Sequence, residues 1–64
     1  MNQRSRLANM FRQHANMDRE IAEKYLALAK RAKSKDIKLR AVGQYHAKMR
    51  DYHSNLIEAK RYSK

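Results

Sequence analysis

The chain has no cysteine, no proline and no tryptophan, and only one glycine, Gly43. Without cysteine there is no disulfide and no thiolate metal site, which fits a reducing cytoplasm. Without proline, and with glycine nearly absent, little interrupts helix. Strand signals are missing, while Ala, Lys, Arg, Leu and Met, all good helix formers, dominate. Acid is also scarce, with 6 Asp and Glu against 16 Lys and Arg, a net charge of +10. Long apolar runs are missing too, so no segment reads as a membrane span or a secretory leader. These absences point to a soluble, cytoplasmic, all-α protein. At 64 residues it is one domain at most, and a core of this size supplies only about 3–5 kcal/mol. Self-association or a bound partner is the expected source of further stability.

The basic residues are concentrated. From Lys30 to Arg40 the chain places Lys30, Arg31, Lys33, Lys35, Lys38 and Arg40 against one acid, Asp36. The stretch coincides with the break between two amphipathic segments. Asp18 to Lys33 reads as one helix, with Asp18, Glu20 and Glu23 at its start and Lys30, Arg31 and Lys33 at its end, as the helix dipole favours. Its apolar stripe is Ile21, Tyr25, Leu28 and Ala32. Residues 34–36 form the turn, and Asp36 can cap a second helix over 37–61. That helix carries Val42, Tyr45, Met49, Tyr52, Leu56 and Ala59 at alternating steps of three and four, a heptad seam that needs a facing helix. A short connection predicts an antiparallel helical hairpin in which Leu28 meets Val42, Tyr25 meets Tyr45 and Ile21 meets Met49. Gly43, costly in a helix interior, suggests a close backbone approach near the turn.

Residues 1–17 form a basic amphipathic arm. Arg4, Arg6 and Arg12 face no acid within it, and Leu7, Met10, Phe11 and His14 share one face of a short helix. This helix is either kinked at Asn16 or Asp18 or continuous with the first hairpin helix. A continuous helix predicts a long hairpin that dimerises into a four-helix bundle. A break leaves the arm to fold over the hairpin or to meet a partner.

The run Glu23-Lys24-Tyr25-Leu26-Ala27-Leu28-Ala29, followed by Ala32, a polar turn, Ala41, Tyr45 and Tyr52, resembles a small uncharacterised helical-hairpin domain of alphaproteobacterial proteins. The likeness spans Ile21 to His53, about half the chain. It implies the hairpin, and a basic flank that hints at RNA, but no reaction. The chain departs from the family pattern at Ser34-Lys35-Asp36, where the family has a Gly-Asp turn.

Lysines and arginines on a turn and its two flanking helix ends can contact several phosphates at fixed relative positions. The competing interpretation is a solvated surface that keeps a small protein dispersed. Part of the run is ordinary helix chemistry, since Lys30, Arg31 and Lys33 suit a helix C-terminus. Lys38 and Arg40 do not suit the first turns of a helix and call for another cause. We therefore expect nucleic-acid binding, RNA before DNA, through Arg31, Lys33, Lys35, Lys38 and Arg40, assisted by Arg4, Arg6 and Arg12. There is no zinc-finger spacing, aromatic strand signature or glycine-rich loop, so backbone charge and shape would lead the recognition. The alternative is a helical adaptor or inhibitor, of phage-encoded or ribosome-associated type, that docks Leu7, Met10 and Phe11 and the same charges on an acidic protein surface.

Other constellations favour structural roles. Tyr25, Tyr45 and Tyr52 belong to the seams, which leaves Tyr62 as the candidate base stacker. His46 and His53 lie seven residues apart, about 10 Å along a helix, too far to share one metal without ligands from elsewhere. His14 with Asp18, and Glu20 with Lys24, read as local pairs. No nucleophile sits beside a base, and a hairpin this short cannot enclose a typical substrate pocket. No enzyme activity, metal or cofactor is therefore expected, and the arm is too poor in apolar residues for stable membrane anchoring.

Overall fold

A computed structural model describes residues 3–63 as two helices, α1 (Gln3–Arg31) and α2 (Lys35–Tyr62), joined by residues 32–34. They form an antiparallel hairpin, a rod of 49 × 13 × 10 Å. The all-α hairpin is as the residue pattern predicts. The basic arm, however, is no separate element: α1 runs unbroken through Asn16 and Asp18. Nothing in residues 3–31 obliges a break. There is no proline or glycine, and a break would strand backbone amides that the continuous helix satisfies.

The cap of α2 also differs from expectation. Ser34, not Asp36, is the N-cap: its backbone is extended (φ −100°, ψ 137°), and its Oγ accepts from the Ile37 amide at 3.5 Å. Its carbonyl accepts the first helical bond, from the Lys38 amide at 3.0 Å. Asp36 lies in the first turn, where its charge suits the dipole without capping. At the far end the Ser63 Oγ and amide both donate to the Lys60 carbonyl, at 3.1 and 3.3 Å.

The centre of the hairpin is alanine. Ala8, Ala15, Ala22 and Ala29, spaced by seven, are buried along α1, and Ala41 and Ala59 are buried in α2. The apolar stripe expected for α1 is therefore not its centre: Ile21, Tyr25 and Ala32 are half-buried beside the alanines, and Leu28 is 47% exposed. The reason is geometric. Alanine lets two helices approach closely without any rotamer being fixed, so α1 turns its small residues inward and its larger aliphatic ones to the side. In α2 the expected seam holds better, with Val42, Tyr45, Met49, Tyr52 and Leu56 half-buried around Ala59. No large side chain is fully buried among the described residues.

Two contacts set the register. Phe11 stacks on Tyr62, with centroids 5.8 Å apart and rings 6° from parallel. Seven residues along each helix, Asn55 Nδ2 donates to Asp18 Oδ2 at 2.7 Å. Neither contact is one of the three pairs expected from apolar spacing. Apolar spacing could not show the second of them, because it is polar. Gly43 is exposed, and a Cβ built there meets nothing within 4 Å, so the close approach expected at that residue does not occur.

Candidate nucleic-acid interface

The turn end gathers Lys30 and Arg31 from the last turn of α1, Lys33 from the connection, and Lys35, Lys38 and Arg40 from the first turns of α2. All six are exposed, as is Asp36. Among the described residues, none of these side chains takes part in an ion pair or hydrogen bond. The Ser34 cap and the closing bond from the Ala32 amide to the Ala29 carbonyl, 3.4 Å, fix the backbone that carries them. The cationic groups therefore remain hydrated on a defined scaffold, the condition in which counterion release favours a polyanion. Ile37 and Leu39 stand among them, 50% and 60% exposed.

The other three candidate cations are not part of this surface. Because α1 is continuous, Arg4 lies twenty-seven residues from Arg31, about 40 Å along the helix axis. This is several times the Debye length of about 8 Å at physiological salt. Arg4, Arg6 and Arg12 therefore belong to a second basic pole with Lys60 and Arg61, and cannot enlarge the footprint at the turn. Some of that pole is already engaged. Arg4 Nη2 donates to the Arg61 carbonyl at 3.0 Å, and its guanidinium lies 5.9 Å from the Tyr62 ring centroid. Arg12 Nη1 donates to Asn9 Oδ1 at 3.1 Å, and Arg61 pairs with Glu58 at 3.4 Å.

The apolar residues of the adaptor alternative are largely used within the fold. Phe11 is covered by Tyr62, Leu7 is half-buried, and Met10 is 38% exposed. Tyr62 is accordingly a packing residue rather than a free stacker. Other expected pairings are also replaced. Asp18 bonds Asn55 instead of His14, and Arg19 pairs with Glu23 at 3.3 Å while no contact joins Glu20 to Lys24. His46 and His53 sit edge-on to the neighbouring Tyr45 and Tyr52, at centroid distances of 5.3 and 5.2 Å. Among the described residues no cluster of three or more His, Cys, Asp or Glu could hold a metal ion, and no helix is long and apolar enough to cross a membrane.

The residue pattern left three features unread. The heptad of alanines was visible but overshadowed by larger apolar neighbours. The Asp18–Asn55 pair has no local signal, because its partners are 37 residues apart. His14-Ala15-Asn16-Met17 and His46-Ala47-Lys48-Met49 share a His-Ala-x-Met pattern once in each helix, a faint internal likeness. No family model, curated protein or solved structure matches the chain.

Proposed function

We propose that the turn end binds nucleic acid, RNA before DNA, and that the protein is a non-enzymatic, cytoplasmic binding module. The observation that carries this is the set of six exposed cations, Lys30, Arg31, Lys33, Lys35, Lys38 and Arg40, without a polar side-chain partner among the described residues. Lys35 weighs most, since with Ser34 as the cap it takes the first helical position, where the dipole opposes a cation; Lys38 closes that first turn and Arg40 lies beyond it. RNA is favoured on shape. The blunt end of a rod 13 × 10 Å in section suits a wide, shallow A-form minor groove or an unpaired loop. Ile37 and Leu39 offer apolar contact to unstacked bases there.

Anisotropy titrations of labelled RNA hairpins, single strands and duplex DNA over a range of salt concentrations test the proposal. Engagement of about six phosphates gives a slope of log K against log salt near −5 on a duplex and near −4 on a single strand. No binding, or binding indifferent to salt, removes it.

A second function has one observation in its favour. The exposed Ile37 and Leu39 give the cap an apolar as well as a cationic character, which also suits an acidic, partly apolar protein surface. For an adaptor, Ile37→Ser with Leu39→Ser abolishes capture of the protein partner, while the salt slope of RNA binding, set by the lysines and arginines, is unchanged.

A further inference from the structure

The fold leaves an apolar stripe on α1 partly uncovered. Leu7, Met10, His14, Met17, Ile21 and Leu28 follow steps of three and four along α1, broken only by Lys24 in the same series. Met10, Met17 and Leu28 are 38%, 59% and 47% exposed, so the hairpin itself does not use this stripe as its seam. A heptad series of this kind is the signature of a helix that packs against another helix. Here α1 meets α2 with its alanines, and the larger residues are left beside them.

We infer that this face of α1 is a homodimer interface, covered by the same face of a second copy in an antiparallel, two-fold arrangement. Three observations select that occupant. First, the accessible surface is 5338 Å², whereas a compact monomer of 7.7 kDa exposes about 4300 Å². The excess of about 1000 Å², spread over the whole rod, leaves room for the roughly 800 Å² that each partner buries in a stable interface. Second, the hairpin's own core is six alanines with no large side chain fully buried, so a second copy supplies burial that the monomer lacks.

Third, the charge allows self-pairing here and opposes it at both ends of the rod. Residues 13–29 carry Asp18, Glu20 and Glu23 against Arg19 and Lys24, net −1, while the remainder of the chain carries +11. The middle of α1 is thus a stretch where two copies of a strongly basic rod can meet without net repulsion, as are residues 41–59 of α2, where Lys48 and Arg50 balance Asp51 and Glu58. A parallel pairing would set Arg4, Arg6 and Arg12 beside their own copies. An antiparallel one about the stripe's midpoint near Met17 sets Arg12 level with Glu23 of the second copy and Arg4 level with Arg31, and an identical patch on both copies closes the assembly at two. The interface does not depend on nucleic-acid binding, and it would carry the two turn caps to opposite ends of the dimer.

Sedimentation velocity on the intact chain across a hundredfold concentration range, with excess RNase present, is the first test. The expected result is a shift from 7.7 kDa to twice that mass. Met17→Glu and Leu28→Glu, both at exposed positions, should hold the protein at monomer mass with the helical circular dichroism retained. Because the chain has no cysteine, a single Met17→Cys gives an independent readout: it should oxidise to a disulfide-linked dimer several times faster than Ile57→Cys, whose residue lies outside the stripe. A wild type that stays monomeric throughout overturns the inference. So does a dimer that withstands both glutamates but dissociates on Leu39→Glu or Ile57→Glu, both at exposed positions, since that would move the interface to α2.

Discussion

Asp18 and Asn55 join the two helices through a 2.7 Å hydrogen bond in a part-buried site, the one polar side-chain to side-chain bond between α1 and α2 among the described residues. With no fully buried large residue to fix the helices axially, this pair and the Phe11–Tyr62 stack select one register over sliding alternatives. Hydrogen bonds to a charged group contribute about 1.5–3 kcal/mol when buried, and partial exposure places this one near the lower end. Asn55→Ala should therefore cost about 1–2 kcal/mol, lowering Tm by roughly 7–15 °C in a domain of this size. Thermal circular dichroism of Asn55→Ala, Asp18→Ala and the double variant measures it. Additive losses would show that the bond does not couple the helices.

The alanine seam makes a prediction opposite to that from side-chain size. Ala15 and Ala22 are 0% exposed, so Ala22→Leu overpacks the closest part of the hairpin and should destabilise it by roughly 1–3 kcal/mol. Leu28→Ala removes a side chain that is 47% exposed and should cost under about 1 kcal/mol to the hairpin itself. Urea unfolding at low protein concentration, where self-association does not contribute, decides between them. If the leucine truncation proved the more damaging, the core would be built as the apolar stripe suggested, not as the alanines do.

Gly43 gives a gain rather than a loss. It lies inside α2 with open space where a Cβ would stand, so Gly43→Ala removes the entropic penalty of glycine without a clash. Stability should rise by about 0.5–1 kcal/mol. A fall in melting temperature would indicate that another chain packs against this position in solution.

Much of this architecture was legible in the residues, and the parts that were not share a cause. Helix content, the hairpin turn and the α2 seam follow from propensity, charge polarity and spacing, all local properties. The inner face of α1 does not, because hydrophobic size ranks Ile21 and Leu28 above Ala22 and Ala29, while close helix packing ranks them the other way. The continuity of α1 through Asn16 and Asp18 was similarly hidden. Both residues are good caps when a helix starts, and nothing local says that Asp18 has a partner 37 residues away. That continuity also determines how the candidate site divides. Arg4, Arg6 and Arg12 read as an extension of the turn's basic patch only if the arm folds back, and a straight α1 carries them to the opposite pole.

The two-pole arrangement makes the proposed binding surface separable by charge reversal. Lys35→Glu with Lys38→Glu acts on exposed side chains with no polar partner among the described residues, so the hairpin should keep its helicity while the turn loses its field. If both lysines contact phosphates, the salt slope should flatten by about 2, and affinity near physiological salt should fall by tenfold or more. Lys60→Glu with Arg61→Glu makes the same change in net charge at the other end of a 49 Å rod. It should alter affinity only a few-fold, because screening isolates the poles from each other. Equal losses from the two pairs would mean that binding tracks total charge and that the turn has no privileged role. A larger loss from the second pair would transfer the site to the Arg4, Arg6 and Arg12 pole. Only a loss concentrated at Lys35 and Lys38 supports the turn as the surface that receives the polyanion.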